Sequence, residues 1–215
     1  MKRIFKNEHY ISNLLIRAAY HLAALRGNTL TQLEVSLILL RNYVPRSMKT
    51  QEIVEIINYS KAIKFMQKNF GKKITVEKVK DYNRIIMDEL IKNNGEINKK
   101  ATDILKKWCE ELNSKLKNTK SDKDKLEVIL EQHIKFEQIY PFAGGNGETG
   151  RILIIDSCLD ENLVPVIIPG EEKKKYSSIL KEGEKNLFLN WAIKLQEKER
   201  QEIYKILDYY GLEDN

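Results

Sequence analysis

The sequence predicts an all-α helical bundle, on three observations. Apolar residues recur at three- and four-residue spacing along nearly the whole chain. Only four prolines and ten glycines punctuate 215 residues, few breakers for a strand-rich fold. Where Gly, Pro, Asn and Thr do occur, they cluster at the ends of the periodic segments, as caps and turns should. A chain of this length can bury one sizeable core, so a single domain over 1–215 is expected.

The elements follow in order. Ile11, Leu14, Leu15, Ala18, Ala19, Leu22 and Leu25 make the stripe of a first helix, and Gly27-Asn28 stops it. Thr31 with Glu34 forms a capping box for a second helix running to about Asn42, broken by Tyr43-Val44-Pro45. A third starts after Thr50, turns Ile53, Ile56, Ile57, Ala62, Ile63 and Met66 inward, and ends near Phe70-Gly71. Thr75 caps a fourth, with Val79, Tyr82, Ile86 and Leu90 on one face, ending near Lys92 before the turn Asn93-Asn94-Gly95. Segment 100–117 is a fifth helix, carrying Ile104, Leu105, Trp108, Leu112 and Leu116. A polar linker over 118–124 leads to a sixth at 125–139, with Leu126, Ile129, Leu130, His133, Phe136 and Glu137. After a glycine-rich loop comes a strongly apolar helix from about Thr149 to Asn162. Pro165 and Pro169 bracket a short extended piece, Val166-Ile167-Ile168, and amphipathic helices at about 171–182 and 185–208 finish the chain. No internal repeat is present.

Charge and cysteine usage narrow the function classes. The net charge of +6 arises from 37 basic and 31 acidic residues, scattered rather than gathered into a stripe, so nucleic acid is not expected as a partner. The densest lysine stretch, Lys115 to Lys125, is interrupted by polar residues and reads as a solvated linker. Cys109 and Cys158 fall on apolar helix faces and read as free buried thiols of a reducing compartment. Asn7, Glu8 and His9 follow Lys2 and Arg3 where a signal peptide needs an apolar run, and no stretch suits a membrane span. A cytoplasmic location is therefore expected, with no membrane partner.

Residues 139–151, I-Y-P-F-A-G-G-N-G-E-T-G-R, carry the chemistry. Gly145-Asn146-Gly147 ahead of a helix presents unpaired N–H groups at a positive dipole end, which suits a phosphate. Asn146 can add a side-chain donor and Arg151 a charge-assisted one, with Glu148, Thr149 and Gly150 completing the candidate anion-binding set. Turns and helix starts also use Gly-Asn-Gly for conformational reasons alone, so the loop by itself leaves both readings open.

Residues 131–151 resemble the core motif of the Fic (Fido) family, HPFx(D/E)GNGRxxR, preceded by an approach helix HxxFExI that matches His133, Phe136, Glu137 and Ile139. Leu25-Arg26-Gly27-Asn28-Thr29-Leu30-Thr31 is similar to the family's inhibitory segment, (S/T)xxxEGN followed by TLT. Glu55 to Ala62, around Asn58, resembles the third-helix pattern ExxNxxxA, and residues 84–87 look like the helix before the family's target-docking hairpin. The resemblance implies a Fic-like bundle. Its N-terminal helices would lie in 1–48, its core in 49–170 and its C-terminal helices in 171–215. The implied activity is transfer of AMP from ATP to a protein hydroxyl: the motif His acts as base, the Asp/Glu holds Mg²⁺, and the glycine turn and two arginines hold phosphate.

The chain keeps Pro141, Phe142, Gly145, Asn146, Gly147 and Arg151 of that motif and departs at three positions. The catalytic position holds Tyr140; a phenol titrates near 10 and accepts protons poorly at neutral pH, and losing a general base costs on the order of 10² to 10⁴ in rate. The metal position holds Gly144, so no protein carboxylate binds a metal there and Mg²⁺ would arrive only with the nucleotide. The first arginine position holds Glu148, which opposes polyphosphate. His133 lies two turns, roughly 10 Å, before Tyr140 and reads as an interior histidine; His9 and His21 belong to the first helix, and none replaces the base. The inhibitory glutamate position holds Arg26, which is expected to pair with Glu148 in a charge-reversed contact. Only 93–99 remain for the hairpin flap, which is therefore short or missing. The reading that results is a catalytically degenerate Fic-like protein with a phosphate or nucleotide loop, weak affinity for ATP or another nucleotide, and a protein target or partner. The alternatives are an active nucleotidyl- or phosphotransferase with altered chemistry, and a non-enzymatic helical interaction module.

Overall fold

A computed structural model describes residues 7–44 and 46–211 of the chain. Among these, nine α-helices and two short 3-10 turns (Lys99–Ala101 and Gly170–Glu172) make up the regular structure, the helices being α1 (Glu8–Arg26), α2 (Gln32–Arg41), α3 (Thr50–Lys68), α4 (Val76–Ile86), α5 (Thr102–Asn118), α6 (Asp122–Ile139), α7 (Asn146–Asp160), α8 (Lys173–Glu182) and α9 (Lys185–Tyr209). The local signals that end these helices act as their chemistry requires. Gly27 closes α1 at φ 108°, its N–H donating to the Ala23 and Ala24 carbonyls, and Thr31 and Glu34 form the reciprocal box that opens α2. The all-α expectation holds, with no β-strand among the described residues. None of their helices is long and apolar enough to cross a membrane.

α7 is the axis of the bundle. Every residue from Glu148 to Leu159 is buried, and α6, α4 and α3 pack around it. A helix buried on nearly every side, its polar residues included, needs partners from the helices around it. α1 lies across α3, and α9 is tied back to α1 where Arg17 and Tyr10 both reach the buried Glu199 carboxylate; Arg17 Nη2 stands 2.8 Å from Oε1 and the Tyr10 hydroxyl 3.0 Å. Cys109 and Cys158 are free and buried.

A buried lysine joins α4 to α7. Lys78 Nζ lies 2.8 Å from Asp156 Oδ2, 3.5 Å from Asp160 Oδ2 and 2.8 Å from the Lys72 carbonyl oxygen. The Tyr82 hydroxyl donates to Asp156 at 2.9 Å, and Asp160 accepts the Gly71 N–H at 2.7 Å. Burial raises the Asp156 carboxyl to about 7, although the Lys78 charge opposes the rise.

Several elements depart from the sequence expectation. α4 ends at Ile86, not near Lys92, because the Asn58 amide donates to the Ile86 and Asp88 carbonyls and Glu89 turns to φ 60°; Leu90 thus lies in a turn. α6 begins at Asp122 under a Ser121 cap, so the linker is shorter than 118–124. Within that lysine stretch Lys115 contacts Glu111 and Glu131, and Lys125 contacts Glu161, as ion pairs rather than as free linker charge. α7 begins at Asn146 rather than Thr149, because Gly145 adopts φ 73° and serves as its N-cap. Ile57 and Ile104, placed inward by periodicity, are 38% and 52% exposed at the margins of their buried faces. Val166, Ile167 and Ile168 are buried without strand pairing. Pro45, Lys2 and Arg3 lie outside the described residues.

Candidate functional site

The glycine loop is fixed by side chains from within and below. Tyr140 closes α6 in the left-handed region at φ 48°, its N–H donating to the Phe136 carbonyl, and its ring is 60% exposed. Phe142 turns into the core. Its N–H donates to Asn146 Oδ1 at 2.9 Å, and its carbonyl accepts from Asn146 Nδ2 at 2.8 Å. Both ends of its buried amide thus clamp the loop, the oxygen accepting and one Nδ2–H donating within it. Asn83 does similar work from α4, donating to the Gly144 carbonyl at 2.9 Å and to Thr149 Oγ1 at 3.2 Å while accepting the Gly95 N–H at 2.9 Å. The flap is reduced to one antiparallel bridge, Ile97 with Phe142, and an Asn98 N–H to Pro141 carbonyl bond of 2.8 Å. A groove of about 380 Å³ runs beside it, lined by Glu96, Ile97, Asn98, Tyr140, Phe142 and Ala143.

Gly145 is required twice over. Its φ of 73° suits only glycine comfortably, and an added Cβ would stand 2.6 Å from Met87 Cγ and 2.7 Å from its sulfur. Gly145→Ala should therefore destabilise the fold by about 2–4 kcal/mol, the sum of left-handed strain and overpacking. Urea unfolding checks this; a loss below about 1 kcal/mol would mean that the loop and Met87 relax freely.

The site's charges come from four helices. Arg26, at the end of α1, points its Nε at Glu55 Oε1 (2.9 Å) and its Nη1 at Glu148 Oε1 (3.1 Å), so the expected charge-reversed contact is present with a second carboxylate added. Glu55 also accepts from the Asn28 amide at 3.0 Å, and Glu52 accepts from the Thr29 N–H and hydroxyl at 2.8 Å, which sews the segment after α1 to α3. Arg151 is 8% exposed and packs its guanidinium over the Tyr176 ring, 5.8 Å from its centroid. Its Nη1 occupies the space beside Gly147, 2.9 Å from where a Cβ would be, and its Nε has no hydrogen-bond partner.

Behind this lies a buried polar layer. His133 Nε2 is 2.6 Å from the Tyr176 hydroxyl; burial first, then the Arg151 charge, lowers the imidazole to about 3, so it is neutral. It is the interior histidine the sequence suggests. Glu137 packs under Gly150, and burial raises its carboxyl to about 6 against the pull of Arg151. The Tyr59 hydroxyl, on α3, is buried without a partner, and burial raises its pKa, with the Glu148 and Glu55 charges acting in the same direction. His9 stacks on Tyr210, and His21 accepts the Gly170 N–H, so both are engaged elsewhere. Gly144 contributes only backbone, and among the described residues no group of three His, Cys, Asp or Glu side chains could hold a metal.

Four members of the constellation had no role assigned from sequence: Glu55, Tyr59, Asn83 and Tyr176. Glu55 and Tyr59 flank Asn58 in the third-helix pattern, and Asn83 lies one residue before the segment matched to the hairpin helix. Tyr176 arrives from α8 with no local signal.

Comparison with known proteins adds three findings. A model of the Fic/DOC family matches residues 73–156. Proteins named "Protein adenylyltransferase Fic" from Drosophila melanogaster and Drosophila erecta are 25% and 26% identical over 213 residues, covering 90% of this chain but only 42% and 41% of their own length. The chain thus spans less than half the length of these curated relatives. Among solved structures, a Fic domain containing signaling protein from Bacteroides thetaiotaomicron superposes with a TM-score of 0.82 at 16% identity, covering 95% of this chain and 90% of that one. Fic-1 from C. elegans superposes with a TM-score of 0.77 at 21% identity, covering 95% and 71%. At these identities the superpositions establish the shared fold.

Proposed function

For this member of the Fic/DOC family, we propose a catalytically degenerate protein that keeps the fold and a weak phosphate-holding helix start, and that works by binding a protein partner rather than by AMP transfer. The single observation that carries this is Glu148. It is buried in the first turn of α7 and paired with Arg26, so a carboxylate occupies the position where transfer of a polyphosphate requires a cation. Tyr140 and Gly144 support the same reading. The phenol is held outward at the end of α6, away from the buried polar layer, and no carboxylate stands in the loop for Mg²⁺. The anion-binding form remains in the start of α7, which carries no side-chain cap, with the Arg151 guanidinium beside Gly147.

The test is incubation with labelled ATP and a cell lysate. The wild-type chain should transfer no label above a protein-free blank. Tyr140→His, Gly144→Asp and Glu148→Arg, combined with Arg26→Ala to remove the facing cation, should raise labelling by at least about 10²-fold. Gly144 can accept a side chain, since its Cβ would meet nothing closer than Ile91 Cδ1 at 3.5 Å. Strong labelling by the wild type, unchanged by the four substitutions, would overturn the reading.

A further inference from the structure

Four orphaned polar atoms surround the first turns of α7: the Tyr59 hydroxyl, Arg151 Nε, Glu137 Oε1 and His133 Nδ1 are all buried without hydrogen-bond partners. Buried donors are nearly always satisfied, so such a cluster calls for a guest. Two of the four, Tyr59 and Arg151, are donors that want an oxygen acceptor. The Arg151 guanidinium enters the first turn itself, beside Gly147. That turn presents backbone N–H groups with no side-chain cap.

The charge balance limits what the guest can be. Arg26 and Arg151 face Glu55, Glu148 and Glu137, so carboxylates outnumber guanidiniums by one. Arg26 is already divided between Glu55 and Glu148, which leaves Arg151 and the helix start to meet an incoming anion. The way in is narrow as well: Asn146, Glu148, Thr149 and Gly150 are buried, and Gly147 between them is half-buried.

We propose that the first turn of α7 takes a single phosphate group, such as that of a nucleoside monophosphate, and rejects a triphosphate. This rests on the reading that the phosphate-holding helix start survives. One anionic oxygen group satisfies Arg151 and the helix N–H groups. Each further phosphate brings charge toward Glu148 and Glu137, while Arg26 is already held by Glu55 and Glu148.

Isothermal titration in Mg²⁺-free buffer with inorganic phosphate, AMP, ADP and ATP tests this. Affinity should fall along the series from AMP to ATP, by about tenfold or more overall. Glu148→Gln, which keeps an acceptor for Arg26 but removes the charge, should recover about that factor for ATP and change AMP less. ATP binding as tightly as AMP, or more tightly, overturns the inference while leaving the surviving helix start intact. Binding by none of the four ligands overturns the surviving helix start itself, and the inference with it. The wild-type ranking decides the matter even if the variant fails to fold.

Discussion

Replacing Lys78 with Ala should remove about 3–5 kcal/mol of folding stability, the cost expected when one partner of a buried ion pair is deleted. The Lys78 and Asp156 side chains are 7% and 0% exposed, so water screens neither. Lys78 spends its donors on Asp156, Asp160 and the Lys72 carbonyl, and so joins the loop after α3, α4 and α7 at one atom. Without it, Asp156 keeps only the Tyr82 hydroxyl, and its Oδ1 already lacks a partner. The pH dependence has a definite sign. A carboxyl raised in the fold from 3.8 to about 7 binds its proton more tightly folded than unfolded. Its contribution is full below about 4 and is lost as pH rises through about 7. Removing Lys78 removes the group that holds Asp156 down, so the variant should lose more stability than the wild type between pH 5 and pH 8. Denaturant unfolding at both values measures this. Lys78→Met with Asp156→Leu, which deletes both charges, should recover more than half the loss. A loss under about 1 kcal/mol for Lys78→Ala would show that the ion pair contributes nothing net.

That pair also marks where sequence reading reaches its limit. Features that act within one turn were legible: the Thr31–Glu34 box, the Gly27 stop and the interior position of His133 all follow from spacing a few residues wide. The end of α4 was not, because its cap is the Asn58 amide, 28 and 30 residues away in sequence. The loop-clamping bonds of Asn146 were not legible for a related reason. A side-chain amide after a glycine can serve its own loop only where the backbone returns to it, and it is the position of Phe142 that makes this possible. Within the site, the motif positions were legible one by one, including the reversed charges at Arg26 and Glu148. Their counter-ion Glu55 and the orphaned Tyr59 hydroxyl come from α3, which approaches α7 only in the packed bundle.

Arg26→Glu should cost at least about 3 kcal/mol, more than removal of a surface ion pair allows. Arg26 is itself 28% exposed, but the carboxylates it serves are not: the Glu55 and Glu148 side chains are 4% and 11% exposed. The substitution leaves both without a counter-ion and adds a third negative charge between them. Arg26→Glu with Glu148→Arg restores opposite signs across one contact of 3.1 Å but leaves Glu55 facing a carboxylate at 2.9 Å. Recovery should therefore be partial, and adding Glu55→Gln should complete most of it. A double-mutant cycle on positions 26 and 148 should give a coupling of about 1–3 kcal/mol. Because the pair is sheltered, that coupling should change little between low and moderate salt, unlike an exposed pair. The consequence is also spatial: Arg26 is the last residue of α1, so breaking its bonds frees the segment that Asn28 and Thr29 fasten to α3. Amide exchange at Thr29 and Leu30 should accelerate in Arg26→Glu well before exchange in the core of α7 does. If the two accelerate together, the contact is an ordinary part of global stability. If only the segment loosens, Arg26 is what holds the end of α1 over the start of α7.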